Sequence, residues 1–223
     1  MALGLMLTPQ QSWQRIDIIL HVEQVATLAH FMERTFHMAD PLKGKKVAML
    51  VANGFEQVEL TEPKKALEEA GAKVSIVSPE LRTVKGWKHT DWGDDLKVDV
   101  PLSDAKADDF DALVLPGGVM NPDKLRRNEW ALQFVRAFAE SGKPIGAICH
   151  GSWTLIDAGI VPGRKMTSYP SIQTDLKNAG ANWVDEEVVV DNGLVTSRKP
   201  DDIPAFNRKL VEEISEGVHA PNA

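Results

Sequence analysis

From residue 45 onward, short and wholly apolar runs alternate with longer stretches whose apolar residues recur at helical spacing. The first run, 47–51 (VAMLV), ends at Asn53-Gly54 and is too short for a buried helix. Continuous apolar runs of this length are typical of strands that are covered on both faces, as in a parallel sheet. Strands are predicted at 47–51, 74–77, 111–115, 145–148 and 165–168, with a final pair at 188–190 and 194–197.

Helical periodicity follows most of these runs. In 59–70 the inward positions are Leu60, Ala66, Leu67 and Ala70. Further helices are predicted at 129–141, from Cys149 to 158, and at 171–179 and 203–215. Residues 80–109 are polar and irregular, with a possible short strand at 97–100. Strands that alternate with helices predict one doubly wound α/β domain.

The first forty residues have a different pattern from the rest of the chain. Their apolar positions predict an extra helix that packs on the domain or on a partner, but an upstream start codon with Met38 as the natural beginning explains them equally well. The spacing of His21, His30 and His37 does not put two ligands on adjacent turns, which argues against a metal site. Residues 41–44 are predicted to be a linker. We therefore expect an N-terminal extension over 1–40, a domain over 45–216 and a tail over 217–223.

Charge and composition exclude several classes of protein. The formal net charge is −7, and no basic face suggests a nucleic-acid partner. No apolar run reaches the roughly 18 residues that span a bilayer. Cys149 is the single cysteine, so an intramolecular disulfide is excluded and a reducing compartment, the cytoplasm, is expected.

Three loops follow predicted strands, at 52–56, 116–120 and 149–151. Sites in open α/β sheets form at the carboxyl ends of strands, so these loops converge if their strands are neighbours. Cys149 lies between Ala147 and Gly151, and small residues at those two positions suit a nucleophile on a sharp strand-to-helix turn. Helix amides after the turn would favour the thiolate. The alternative is a buried cysteine that acts as a small apolar residue.

Other candidate residues lie in the same loops. Gly117 and Gly118 can present free N–H groups to an oxyanion, or simply form a tight turn. Glu56 follows the first strand and could share a proton with the cysteine or orient a substrate, whereas Glu59 and Glu62 fit ordinary acids in the first turn of a helix. Tyr169 follows a predicted strand and could face the cleft.

The segment 89–95 is rich in polar side chains. His89, Asp91 and Asp94 could mimic a metal site, but an ordered loop that lines the cleft or contacts a subunit suits the mixture of tryptophan and charge better. Neither a Walker phosphate loop nor a G-x-G-x-x-G turn opens a helix, so nucleotide binding has no support.

Six stretches together resemble the ThiJ/PfpI superfamily, and within it the PfpI-type intracellular protease branch. They cover about residues 45–216 in the family order, whereas 1–40 fall outside the pattern. The stretches are 47–60 (VAMLVANGFEQVEL), 111–118 (DALVLPGG), 142–151 (GKPIGAICHG), 163–170 (GRKMTSYP), 178–191 (NAGANWVDEEVVVD) and 195–204 (VTSRKPDDIP).

The resemblance implies a flavodoxin-like sandwich related to class I glutamine amidotransferases, without cofactor or metal. It implies that Cys149 is the nucleophile and the adjacent His150 the base. Asp123 matches the acid that a neighbouring subunit contributes in this branch, in a dimer or a trimer of dimers, although the loop here is one residue longer than usual.

The resemblance also implies further roles. Glu56 matches the glutamate that contacts the sulfur, Gly118 the oxyanion-hole glycine, and Tyr169 the active-site tyrosine. Ser152 stands where the family commonly has proline, which we expect to be a mild change.

Three functions follow from these residues. The first is a stress-response hydrolase that acts on methylglyoxal, glyoxal or glycated groups, as a deglycase or a cofactor-free glyoxalase. The second is an intracellular cysteine peptidase or amidase, since a thiolate attacks amides as well as aldehydes. The third is a non-enzymatic redox sensor, in which Cys149 is oxidised and Glu56 hydrogen-bonds the sulfinate. A neighbouring base favours catalysis, because a sensor does not need one.

Overall fold

The computed structural model describes residues 40–219, so the predicted N-terminal extension and its three histidines lie outside the described residues. Along the described chain the strands and helices are β1 (Lys46–Leu50), β2 (Phe55–Glu56), α1 (Gln57–Glu69), β3 (Lys73–Ser78), β4 (Thr83–Lys88), β5 (Asp91–Lys97), β6 (Val100–Pro101), β7 (Ala112–Leu115), α2 (Met120–Leu125), α3 (Glu129–Glu140), β8 (Ile145–Ile148), α4 (Ser152–Asp157), β9 (Lys165–Met166), α5 (Gln173–Asn178), β10 (Asn182–Trp183), β11 (Val188–Asp191), β12 (Leu194–Ser197) and α6 (Ile203–Glu216).

The main sheet has seven strands in the order β11-β12-β8-β7-β1-β3-β6. All neighbours pair in parallel except β11 and β12, which form an antiparallel edge. This confirms the predicted α/β class with a mostly parallel sheet. The strands β1, β7 and β8 are adjacent, so the three loops that follow them meet at one edge of the sheet, as expected.

Helices cover both faces of the sheet, and each face has its own apolar core. One core includes Phe134 and Phe138 of α3, and the other includes Leu60 of α1 with Phe206 and Leu210 of α6. Every residue of β7 and β8 is buried, which explains why both strands are continuous apolar runs in the sequence. None of the described helices is both long enough and apolar enough to cross a membrane.

The sequence did not predict the hairpin formed by β4 and β5 within residues 80–109. Most side chains of β5 are exposed, so the strand lacks the apolar alternation that marks a half-buried strand. Gln57 of α1 ties the hairpin to the domain, because its side chain donates to the Asp94 carboxylate over 2.7 Å and accepts the Asp94 N–H over 2.8 Å. The short helix α2 was also missed.

Residues 41–44 were predicted to be a linker, and this prediction is wrong. They form a turn packed on the domain, in which the Leu42 side chain is fully buried and the Leu42 N–H donates to the Ala70 carbonyl over 2.8 Å. The start of the predicted tail also lies on the domain, since the His219 N–H donates to the Gly142 carbonyl over 2.8 Å.

We predict that Leu42→Ala lowers the free energy of unfolding by about 2–5 kcal/mol, because it removes a fully buried side chain and leaves a cavity between the turn and the domain. Lys43→Ala, an exposed change in the same turn, is the matched control and should stay within about 0.5 kcal/mol of wild type. Urea unfolding of the full chain measures both. Equal stability of the two variants would show that the turn is only a linker.

Candidate active site

Cys149 lies at a sharp turn between β8 and a short 3-10 turn, with its backbone in the left-handed region at φ 61°. Two glycines allow this turn to pack against the loop after β7. A Cβ at Gly151 would approach the Leu115 carbonyl oxygen to 2.4 Å, and one at Gly117 would approach the Cys149 Cβ to 2.7 Å. The strained backbone of the cysteine and the small neighbour at Gly151 match the nucleophile turn expected from the sequence.

The His150 imidazole lies directly beside the sulfur. Its Nδ1 is 3.2 Å from the Cys149 Sγ, within reach for proton transfer. The ring of Tyr169 stacks on the imidazole with centroids 4.8 Å apart, and Trp153 contacts it edge-on at 5.2 Å. The opposite nitrogen, Nε2, is 3.1 Å from the Ser171 Oγ. The imidazole is therefore held by two aromatic rings and has a partner at each nitrogen.

The glutamate beside the sulfur is Glu59, whereas the resemblance led us to expect Glu56. Glu59 is fully buried on α1, accepts the Gly117 N–H over 2.8 Å and shares a side-chain hydrogen bond with Cys149. Glu56 lies instead in the wall of the cavity, where it accepts a hydrogen bond from the His89 backbone N–H. The prediction that Glu56 contacts the sulfur is therefore corrected.

Burial determines the protonation of the sulfur and the carboxyl group beside it. Burial is the main cause that raises the pKa of Glu59, to about 8. Burial, and then the charge of Glu59, raises the pKa of the Cys149 thiol well above its ordinary value, although the Gly118 and His150 N–H groups oppose the rise. Burial lowers the pKa of His150, so the imidazole is neutral at neutral pH. Burial therefore favours the thiol, whereas the backbone N–H groups act towards the thiolate, as we expected from the helix amides.

The two glycines after β7 have different roles. The Gly117 N–H is already taken by Glu59, so Gly117 is not the free donor that we expected. The N–H groups of Gly118 and His150 both point at the sulfur. These two donors lie where an oxyanion formed by attack of the sulfur would develop.

Asp123 is exposed on α2, and Ser171 rather than Asp123 contacts the imidazole within this chain. Asp175 is the carboxylate whose charge acts on His150 and raises its pKa, against the larger effect of burial. Sequence reasoning missed Ser171 and Asp175, because neither the strand-end rule nor a motif marks the turn that holds them.

The sulfur opens into a cavity of about 580 Å³, mostly lined by apolar surface. Besides the residues already named, its walls include Trp87 and His89 of the hairpin, Val119 and Met120 after β7, and Lys199. Tyr169 lines it as expected. A volume of this size is ordinary for a small-molecule site.

The polar segment 89–95 shows no metal-binding arrangement within the described residues. Asp94 is engaged with Gln57 and Lys88, and His89 faces the cavity. Within residues 40–219, one cluster of side chains could hold a metal ion. It consists of Glu213, Glu216 and His219, whose ligand atoms lie within 4.8 Å of one another, and it lies away from the sulfur.

Curated relatives match most of the chain. YraA of Bacillus subtilis, named as a candidate cysteine protease, is 48% identical over 74% of this chain and 95% of its own length. General stress protein 18 of the same organism is 49% identical over 74% of this chain and 95% of its own. Deglycase PH1704 of Pyrococcus horikoshii is 48% identical over 75% of this chain and 98% of its own.

Solved structures of similar fold also include members of the same group of proteins. The crystal structure of Drosophila melanogaster DJ-1beta superposes with a TM-score of 0.71 and 30% identity, over 77% of this chain and 90% of that one. The family model described as DJ-1/PfpI matches residues 45–213. The fold, the cysteine turn and these comparisons agree with the resemblance seen in the sequence, and the chain belongs to the DJ-1/PfpI family.

Proposed function

We propose that this protein is a cysteine-dependent enzyme that acts on methylglyoxal, glyoxal or the glycated groups they form. The observation that carries the proposal is the contact of 3.2 Å between the Cys149 sulfur and the His150 Nδ1, at the wall of a cavity, with the backbone N–H groups of Gly118 and His150 beside the sulfur. A nucleophile, a base and an oxyanion site are the parts that addition to a carbonyl needs. Similarity to a deglycase supports the same conclusion.

The first step is proton transfer from the thiol to His150. Because the imidazole is neutral at neutral pH, its Nδ1 accepts the proton as the sulfur attacks. The sulfur adds to the aldehyde carbon, and the carbonyl oxygen takes the negative charge opposite the Gly118 and His150 N–H groups. Return of the proton from His150 to that oxygen gives a neutral hemithioacetal.

The second step moves a proton within the adduct. His150 removes the proton on the sulfur-bound carbon and returns it to the neighbouring carbon. The hydroxyl proton of the adduct passes to the former ketone oxygen, so the hemithioacetal of methylglyoxal becomes the thioester of a 2-hydroxy acid. Water hydrolyses the thioester to a hydroxy acid and restores the thiol. The protonated Glu59 carboxyl group beside the sulfur supplies a second proton store. No external oxidant or reductant is needed. A glycated amine reaches the same adduct when the sulfur displaces the amine: the C–S bond forms, the C–N bond breaks, and the amine leaves with the proton that His150 took from the thiol.

The cavity bears on the size of the substrate. A volume of about 580 Å³ exceeds what a three-carbon compound fills. The apolar walls formed by Val119 and Met120 can receive the methylene chain of a glycated side chain. The cavity therefore favours glycated groups at least as much as the free dicarbonyl.

Peptide or amide hydrolysis is the second candidate, and similarity to YraA supports it. The same thiol, base and oxyanion donors can form an acyl-enzyme. Amide attack needs more stabilisation of the transition state than aldehyde addition, and here Gly117 contributes no donor because Glu59 occupies it. A non-enzymatic redox sensor is the third candidate, but a sensor does not need a base in contact with the sulfur, as His150 is here.

We predict that Cys149→Ala abolishes turnover of methylglyoxal and of glycated peptide while the fold is retained, because the variant removes the nucleophile. Production of hydroxy acid and release of free amine measure the two reactions, and a fluorogenic peptide is assayed beside them. His150→Ala should lower turnover by about 10²-fold or more, as expected for the loss of a general base. Residual activity in Cys149→Ala would contradict the proposal, and turnover of the fluorogenic peptide alone would favour the peptidase.

We predict that Glu59→Gln lets Cys149 ionise at lower pH. Above its own pKa of about 8, Glu59 is ionised and its charge raises the pKa of the thiol, so a neutral amide in its place lowers that pKa. The rate of iodoacetamide alkylation against pH should shift to lower pH in this variant. Glu62→Gln, an exposed change on the same helix, is the matched control and should follow wild type. A shift of Glu59→Gln to higher pH would contradict this arrangement.

A homo-oligomer in which Asp123 acts on a second copy is also proposed, since Asp123 is exposed and the hydrogen-bond partner of His150 in its own chain is Ser171. Light scattering should then give at least twice 24.5 kDa. Asp123→Asn should lower turnover, and mixing it with Cys149→Ala should restore part of it, because each inactive chain supplies what the other lacks. A fully active monomer, or mixing without rescue, would contradict a role in trans.

A further inference from the structure

The far nitrogen of the base has a partner that no part of the proposed reaction uses. The His150 Nε2 lies 3.1 Å from the Ser171 Oγ. Ser171 belongs to the 3-10 turn Pro170–Ile172, directly after Tyr169, whose ring stacks on the same imidazole. The Tyr169 N–H donates to the Cys149 carbonyl over 3.2 Å and fixes this turn to the cysteine. Stacking and the hydrogen bond therefore come from one fixed segment.

A second contact of the imidazole supports the same geometry. Trp153 touches the ring edge-on, and its Nε1–H donates to the Asp175 carboxylate over 2.8 Å. That carboxylate favours positive charge on His150. Ser171 is thus the hydrogen-bond partner of the imidazole, and Asp175 contributes charge from a distance.

The single N–H of a neutral imidazole limits which of the two nitrogens of His150 can accept a proton. It carries one N–H, so the other nitrogen has the free lone pair. His150 can accept the thiol proton only if Nδ1, which faces the sulfur, has that lone pair. The N–H must then be on Nε2, and a serine hydroxyl is an acceptor for it.

We propose that Ser171 is the positioning residue that holds His150 in the Nε2–H tautomer, which rests on the proposed role of His150 as base. When the thiol proton passes to Nδ1, the sulfur becomes a thiolate and the imidazole becomes a cation. The Nε2–H stays on the Ser171 oxygen throughout, so the ring need not rotate. Ser171 is supplied by the same chain, and an acid from a second copy would add charge stabilisation without setting the tautomer.

Two measurements that do not depend on any substrate test this assignment. Two-bond ¹H–¹⁵N NMR spectra of His150 report which nitrogen carries the proton, and iodoacetamide alkylation of Cys149 against pH reports activation of the thiol. The variants are Ser171→Ala, which removes the hydroxyl, Ser171→Thr, which keeps it, and Asp123→Asn. Ser103→Ala, an exposed serine outside the cavity, is the matched control.

In Ser171→Ala we expect a mixture of tautomers and alkylation about tenfold slower at neutral pH, the effect of one lost hydrogen bond. Ser171→Thr should stay within about twofold of wild type, and Asp123→Asn should keep the wild-type tautomer. Wild-type spectra and rates in Ser171→Ala would overturn the proposal. So would an equal loss in Ser171→Thr, or a change of tautomer in Asp123→Asn alone.

These outcomes are separate from the fate of the proposed function. If methylglyoxal, glycated peptide and fluorogenic peptide are all untouched by wild type, the proposed function fails. The spectra and the alkylation rates still decide whether Ser171 sets the state of His150.

Discussion

The left-handed backbone of Cys149 is the constraint on which the site depends. A non-glycine residue at φ 61° has an unfavourable backbone conformation, and contacts of the surrounding chain must offset that conformational energy. These contacts are made where the loop after β8 packs against the loop after β7. Gly151 packs against the Leu115 carbonyl, and Gly117 packs against Cys149. That approach is possible because β7 and β8 are adjacent parallel strands buried on both faces. The sheet order therefore fixes the direction in which the sulfur points.

The sequence was sufficient to predict this part of the molecule for physical reasons. A strand buried on both faces must be continuously apolar, and the runs at 47–51, 111–115 and 145–148 lie within two residues of the strands found. Parallel neighbours end at the same edge, so the convergence of the three loops followed from their order. The hairpin of β4 and β5 could not be predicted in this way, because its exposed faces leave no periodic signal and its attachment depends on the single side chain of Gln57.

The choice between Glu56 and Glu59 shows where the sequence pattern was misread. Glu59 was interpreted as an ordinary acid in the first turn of a helix, yet it precedes Leu60 and lies one turn before Pro63, both of which are buried. A carboxylate on the buried face of a helix is costly unless it has a specific partner. That cost was a usable signal, and it pointed to Glu59. Ser171 gave no such signal, because its contact with His150 depends on how a loop folds back.

The shared burial of Glu59 and Cys149 also bears on what the sulfur does at rest. Burial raises both pKa values and so favours the protonated thiol and the protonated carboxyl group, while the neutral imidazole is free to accept a proton. A thiol is oxidised more slowly than a thiolate, since the thiolate is the nucleophile. A dedicated sensor would gain from a permanent thiolate, whereas an enzyme needs one only when a carbonyl lies beside it. The arrangement therefore supports catalysis, in which His150 generates the nucleophile as the substrate is attacked.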